Sequence, residues 1–410
     1  MLASVVALGG VTAAIAGPPA KTKLVSKTSN GLPATGGDAS ISSSGRFVAF
    51  QSIADVLPGA DGVVSVYVHD RKTKKTRLVS KTSGGEPTTG GNSELPSISG
   101  SGRFIAFQSN APNLPGANGE FHVYVHDRKT GRTRLASKTS SGQPGVDGSF
   151  EPSISASGRW VGFSSDSDNL PGDDSSSNIY IHDRKSKKTR LVSKTSSGDP
   201  ATGGSSYYAS LSASGRYVAF ESSATNLPGD DAVTDVYVRD RKRGKTRLVS
   251  KTSAGEPSDG PSGAPSISAS GRLVAFESTA ENLPGELAGS DVYLFDRKRH
   301  RTSLISVNSA GEQAAGSGSN ASISGSGRYI AFQVNADNLP GAAATQDVYR
   351  RDRKRGKTRL VSQTSVGVPG DANSHDPAIS RSGGGFVAFT SNATNFPGDP
   401  GSVYVRGPLN

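Results

Sequence analysis

Three features of this 410-residue chain predict an all-β fold built from seven equal units closed into a ring. First, the phrase Ser157-Gly158-Arg159-Trp160-Val161-Gly162-Phe163 returns with small changes at Ser44, Ser101, Ser214, Ser270 and Ser326, and again at Ser382 with an added glycine and no arginine. Its anchors Phe47, Phe104, Trp160, Tyr217, Leu273, Tyr329 and Phe386 are 56 or 57 residues apart. A unit so repeated cannot bury its apolar face alone and must stack on the next. Second, 51 glycines, 23 prolines and a hydrophobic content of 33% suit many short strands and turns rather than long helices. Third, the two chain ends carry complementary parts of one unit, which points to a seven-bladed β-propeller.

Taken in order, residues 1–16 are almost wholly apolar or small and end in Ala14-Ile15-Ala16. They read as a secretory signal peptide, followed by a linker over 17–21. The basic opening of such a peptide is lacking, which points to a start codon further upstream. The alternative is an apolar tail that is disordered or touches a membrane, since the run is shorter than the roughly 20 residues that span a bilayer. A single propeller domain is expected over 22–407. It opens on Lys23-Leu24-Val25-Ser26, a phrase that recurs around Leu78, Leu135, Leu191, Leu248, Leu304 and Leu360.

Each full unit supplies four strands by β-branched and aromatic alternation. In the second unit these fall at 96–99, 104–108, 122–126 and 133–138. Ser-Gly-Arg makes a tight hairpin between the first two, Asn113-Leu114-Pro115-Gly116 opens the longer loop to the third, and Asp127-Arg128-Lys129-Thr130-Gly131 joins the third to the fourth. Strands one to three occur seven times, but the seventh fourth strand is missing at the C-terminus and an orphan one stands at the N-terminus. Pairing 23–27 with 402–406 completes the last blade and closes the ring, one strand plus three, with no unpaired edge.

The phrase Pro-Ser-Ile-Ser-x-Ser-Gly-Arg-Phe-Val-Ala-Phe, followed by Val-Tyr-Val-x-Asp-Arg, resembles the WD-like repeat of TolB-type β-propellers of bacterial exported proteins, over about residues 22–406. The resemblance implies a propeller that acts outside the cytoplasm, secreted or periplasmic, and binds a protein. This chain has Ser where the family usually has Asp before the hairpin glycine. Nor does it hold the separate N-terminal α/β domain of TolB, so the partner contacts of that domain are not implied.

Charge is unevenly placed. Antiparallel order brings the two hairpins of every blade to the same face. The hairpins between strands three and four hold 28 of the 46 basic residues against six aspartates, whereas the rest of the chain holds 18 basic and 29 acidic residues. One face is therefore expected to be basic and the opposite loops acidic. On the basic face Arg46, Arg103, Arg159, Arg216, Arg272 and Arg328 form a candidate ring for a polyanion of the cell envelope. The alternative is that each pairs with a hairpin aspartate such as Asp70, Asp127 or Asp183 and only pins the turn.

Other singular residues read as scaffold. Trp160 fills a slot held elsewhere by Phe, Tyr or Leu and is expected in the core, and sparse aromatics disfavour nucleic acid. Tyr67, Tyr124, Tyr180, Tyr237, Tyr293, Tyr349 and Tyr404 share one packing slot. His69, His126 and His182 share another, too far toward the outside for a common metal. Acidic loops at 166–174 and at Asp230, Asp231 and Asp235 lack calcium-loop spacing and read as solvated turns. No cysteine is present, which removes disulfides and thiolate chemistry.

No Gly-x-Ser-x-Gly elbow or His-Glu-x-x-His occurs, and regular repetition leaves few residues to break symmetry. His375, Asp376, Tyr207 and Tyr208, just before two inner strands, are the exceptions. The leading expectation is a monomeric, cofactor-free and metal-free binding or scaffold propeller that presents its basic face to an anionic polymer or a protein. The competing one is a glycosidase or lyase with an axial site on the opposite loop face.

Overall fold

The computed structural model describes residues 20–172, 176–229, 233–285, 289–342 and 345–409. The expected signal peptide and most of the linker lie outside the described residues. Among the described residues are 28 strands and no helix, arranged as seven four-stranded antiparallel sheets, a seven-bladed β-propeller. Nor is there a helix long and apolar enough to cross a membrane.

In the second blade the strands run Ser93–Ile98, Phe104–Ser109, His122–Asp127 and Arg132–Leu135, from the innermost outward. The inner strand starts three residues earlier than the alternation suggests. A β-bulge there puts Leu95 at φ 48° and breaks the period of two. The outer strand ends earlier because the N–H groups of Ala136 and Ser137 both turn to the carbonyl of Val123, and Lys138 bridges to Pro144 instead.

Closure follows the expected scheme, in the register of the other blades, where Leu135 faces Tyr124. Lys21–Leu24 pairs antiparallel with Ser402–Gly407, Lys21 facing Gly407 and Leu24 facing Tyr404, so the strand starts two residues before the expected 23–27. Ile41, Val48 and Phe50 of the first blade pack against Ala388, Val403 and Val405 of the seventh, so the junction has a core like any other.

The third strand of each blade lies between two neighbouring strands and two neighbouring blades, so nearly all its residues are buried. All seven tyrosines of the packing slot are buried, each stacked on a second-strand phenylalanine with ring centroids 5.7–6.1 Å apart. Removing an aromatic ring of this size from water contributes about 2–3 kcal/mol. The repeats also compensate one another. Where the other blades pair a second-strand Ala with the next blade's Ile, Gly162 faces Leu211, whose Cδ1 would lie 2.6 Å from any added Cβ.

The hairpin glycines are fixed twice over. Gly102 has φ 75°, and a Cβ there would lie 2.2 Å from the Phe47 ring of the preceding blade. Only glycine allows both the left-handed turn and the close approach of adjacent blades.

Candidate functional site

The six arginines of the expected ring all lie in the hairpins between strands one and two, and each is held by the neighbouring hairpin of its own blade. Arg46 donates from Nε and Nη2 to the two carboxylate oxygens of Asp70 at 2.8 and 2.7 Å. The same fork joins Arg103 to Asp127, Arg159 to Asp183, Arg216 to Asp240, Arg272 to Asp296 and Arg328 to Asp352, at 2.5–2.8 Å. The aspartates are nearly buried, whereas the arginine side chains remain 31–44% exposed.

The Arg103 guanidinium holds the Asp127 carboxyl down to about 2, and Asp70, Asp183 and Asp352 are lowered chiefly by their own arginines. For Asp240 and Asp296 burial acts upward, but Arg216 or Arg272 with the hairpin backbone N–H groups outweighs it.

These arginines also staple blades together. Arg46 lies over its own neighbour Phe47 at 4.6 Å from the ring centroid, and Arg128 of the next blade covers the same ring at 4.2 Å. Phe104 and Tyr217 are sandwiched in the same way, whereas Tyr329 is covered by Arg328 and Arg350, both of its own blade. Trp160 departs from its expected core role. It is only half-buried, because the anchor sits at the hairpin end of the blade, where Arg159 and Arg241 cover its two faces at 4.7 and 3.9 Å. Neither face is open to a stacking base.

His69, His126 and His182 are buried between blades, each with Nδ1 2.9 Å from a threonine hydroxyl, Thr76, Thr133 or Thr189. Those hydroxyls donate to the carbonyls of Lys27, Lys81 and Lys138 in the preceding blade, so the imidazoles must be the donors to them and Nε2 carries no proton. Burial pushes each imidazole down to about 4. Of the acidic loops, Asp173, Asp174, Asp230 and Asp231 lie outside the described residues. Asp235 is buried and accepts a hydrogen bond from Ser250 Oγ at 2.6 Å.

The symmetry-breaking residues meet at the axis on the other face. An open cavity of about 410 Å³ is lined by the inner strands of all seven blades. Its rim is one repeating position, the bulge residue, at which seven non-glycine side chains stand on left-handed backbone: Asp38, Leu95, Glu151, Tyr208, Ala264, Asn320 and Asp376, with φ 45–55°. Such strain persists only when neighbours enforce it. Here the side-chain oxygens of Gln51, Gln108, Glu221, Glu277 and Gln333 accept the bulge N–H of the following blade at 2.8–3.1 Å. The third blade has the short Ser164 at that position, and Glu151 substitutes, accepting from Tyr208 N–H at 2.8 Å and Ser164 Oγ at 3.2 Å.

His375 donates from Nδ1 to Asp376 Oδ2 at 2.7 Å, and Asn320 Nδ2 donates to Asp376 Oδ1 at 2.9 Å. The hydrogen bond to Asp376 raises the His375 imidazole. Burial, with the negative charge of Asp376 nearby, pushes Asp38 up to about 6. An acid that gives up its proton only near pH 6 thus stands close to a carboxylate–imidazole pair. Across the mouth Tyr208 is 52% exposed, and burial raises Glu151. Among the described residues no three His, Asp or Glu side chains converge as metal ligands.

Asp376 and Tyr208 thus line one cavity, whereas His375 and Tyr207 are not part of its lining and His375 reaches it only through its hydrogen bond to Asp376. Asp38, Glu151 and Asn320 were not singled out from the sequence. Their signal is a column: the residue nine or ten before each anchor varies from unit to unit while its surroundings repeat.

No protein-family model matches the chain, and no curated protein does. Among solved structures it is similar to the β-propeller domain of the trilobed protease of Pyrococcus furiosus, at TM-score 0.58 and 12% identity over 92% of this chain and 94% of that one. An oligogalacturonate lyase in complex with manganese matches at TM-score 0.56 and 10% identity over 96% and 91%. TolB from Acinetobacter baumannii matches at TM-score 0.44 and 15% identity over 77% of this chain, which spans 62% of that TolB. At these identities the likeness extends to the propeller fold.

Proposed function

We propose that the chain is a non-enzymatic binding or scaffold propeller that acts outside the cytoplasm and engages an anionic polymer or an acidic protein with its hairpin face. One observation carries this reading. Among the described residues the ion pairs are the six arginine–aspartate forks and His375–Asp376, and no lysine takes part in any. The hairpin aspartates are thus engaged by the inner arginines, and the lysines around them face solvent without a carboxylate partner. In this reading Arg46, Arg103, Arg159, Arg216, Arg272 and Arg328, whose side chains stay partly exposed beside their aspartates, offer the ligand further N–H donors. An apolar, small-residue leader at 1–16 supports export.

The test is retention of the protein on immobilised polygalacturonate and on neutral dextran at low and high salt. Retention on the anionic polymer alone, falling steeply with salt, is expected. Equal retention on both, or no salt dependence, refutes it.

A second reading, a carbohydrate-active enzyme, is favoured by the axial cavity lined by Asp38 and by Asp376, which His375 holds by a hydrogen bond. It predicts cleavage of an acidic oligosaccharide that is abolished in Asp38→Asn and Asp376→Asn. Turnover unchanged by both substitutions removes the axial site from the reaction.

A further inference from the structure

The groove between adjacent blades, near the rim of the hairpin face, is filled in most blades by the third-strand residue next to the hairpin aspartate. Arg239 reaches across to Thr195 O at 2.6 Å, Arg351 to Asn308 O at 2.7 Å and Arg406 to Thr364 O at 2.8 Å. In the first three blades a histidine occupies the position. The fifth blade alone has a phenylalanine there, Phe295, which has no group to send across. Its ring meets the edge of His300 at 6.5 Å and lies under Lys251 Nζ at 5.4 Å.

The consequence is a cavity of about 320 Å³ between the fourth and fifth blades, against about 60 Å³ in the equivalent groove beside His182. Leu248, Pro257 and Phe295 make an apolar wall, and Arg247, Lys251 and His300 surround it. Arg297 also lines the space but donates to Gly271 O and covers Tyr217. No carboxylate is among the described residues that line the cavity. Burial, with the positive charge of Arg247 nearby, lowers the Lys251 ammonium, so an anion brought beside it stabilises a partly desolvated charge.

We infer that this cavity is a binding site for a monosaccharide-sized organic anion, a uronic acid unit whose carboxylate meets Lys251 and Arg247 while its ring lies on the Leu248–Pro257–Phe295 wall. The volume is at the lower end of small-ligand pockets, and the mixture of an apolar wall with a few convergent cations fits a ring acid better than inorganic phosphate. The inference rests on the proposed hairpin-face function and names the unit that the polymer would present.

The repeats supply substitutions that the fold already accepts. Phe295→His introduces the residue of the first three blades, and Lys251→Gln the residue that Gln363 supplies in the same position two blades later. Titration of the full chain with D-galacturonate, with D-galactose as the neutral control, is expected to show binding of the acid at least about tenfold tighter than of the neutral sugar. Each substitution is expected to weaken the acid about tenfold or more, with the melting temperature unchanged. Equal binding of both sugars, or wild-type affinity for galacturonate in both variants, overturns the assignment. Salt-sensitive retention on polygalacturonate by variants and wild type alike, with no galacturonate binding in any, removes the cavity and leaves the hairpin-face reading. Loss of polymer retention with the monosaccharide still bound does the reverse.

Discussion

Lowering the pH from 7 to 5 tests the assignment of the three buried histidines. Each imidazole is held near pKa 4 in the folded chain, against about 6.5 when unfolded. The unfolded state therefore takes up the proton first. Stability is fully present above about pH 6.5 and falls as pH drops toward 4. Linkage gives about 2 kcal/mol per histidine between pH 7 and 5, and about 6 kcal/mol for three.

Other groups act in the opposite sense over the same window. Asp38 at about 6, the raised Glu151, Glu221 and Glu277, and the raised His375 bind protons more readily when folded. A difference between two proteins cancels them. In the triple variant His69→Asn, His126→Asn, His182→Asn, the amide keeps a donor toward the threonine hydroxyl but does not titrate. Urea unfolding followed by the fluorescence of Trp160, the one tryptophan, reads both proteins at both pH values. The wild type is expected to lose about 6 kcal/mol more than the variant on acidification. Parallel losses would show that the histidines are hydrated or charged in the fold, and the reasoning fails.

Three further outcomes follow from the same geometry. Arg159→Met breaks the fork on Asp183, whose arginine is 44% exposed, and should lower the melting temperature slightly at neutral pH. That loss should fade only as the pH falls well below the usual carboxylate range, through the depressed range in which folded Asp183 takes up its proton; a cost that grows on acidification contradicts it. Gly102→Ala meets both φ 75° and the Phe47 ring at 2.2 Å and should destabilise by about 2–4 kcal/mol in thermal unfolding, so a neutral result would mean the hairpin moves freely. Deleting residues 20–26 leaves Ser402–Gly407 as an open edge, and light scattering should report association; a monomer of unchanged melting temperature would show that closure is dispensable.

The axial site was only partly visible in the chain. His375 and Asp376 stand out because no other unit has such a pair there, and Tyr207 and Tyr208 for the same reason. Asp38 does not stand out, because one aspartate before Ala39-Ser40-Ile41 looks like any turn residue until a bulge directs it to the mouth. The bulge is invisible locally, since its strain is enforced by Gln and Glu side chains from the preceding blade, 43 or 44 residues away in the chain. Likewise Phe295 reads as an ordinary strand aromatic, and only the groove it fails to bridge marks it.

The blade count, the closure of N-terminal strand on C-terminal strand and the strand order within each blade follow from the sequence by itself. They depend on period and alternation, which are local and repeated seven times. Tertiary structure decided which charges remain available, where seven differing residues converge, and which inter-blade groove stays open. Each of those depends on side chains from different repeats facing one another across a blade boundary, and no spacing along the chain encodes that meeting.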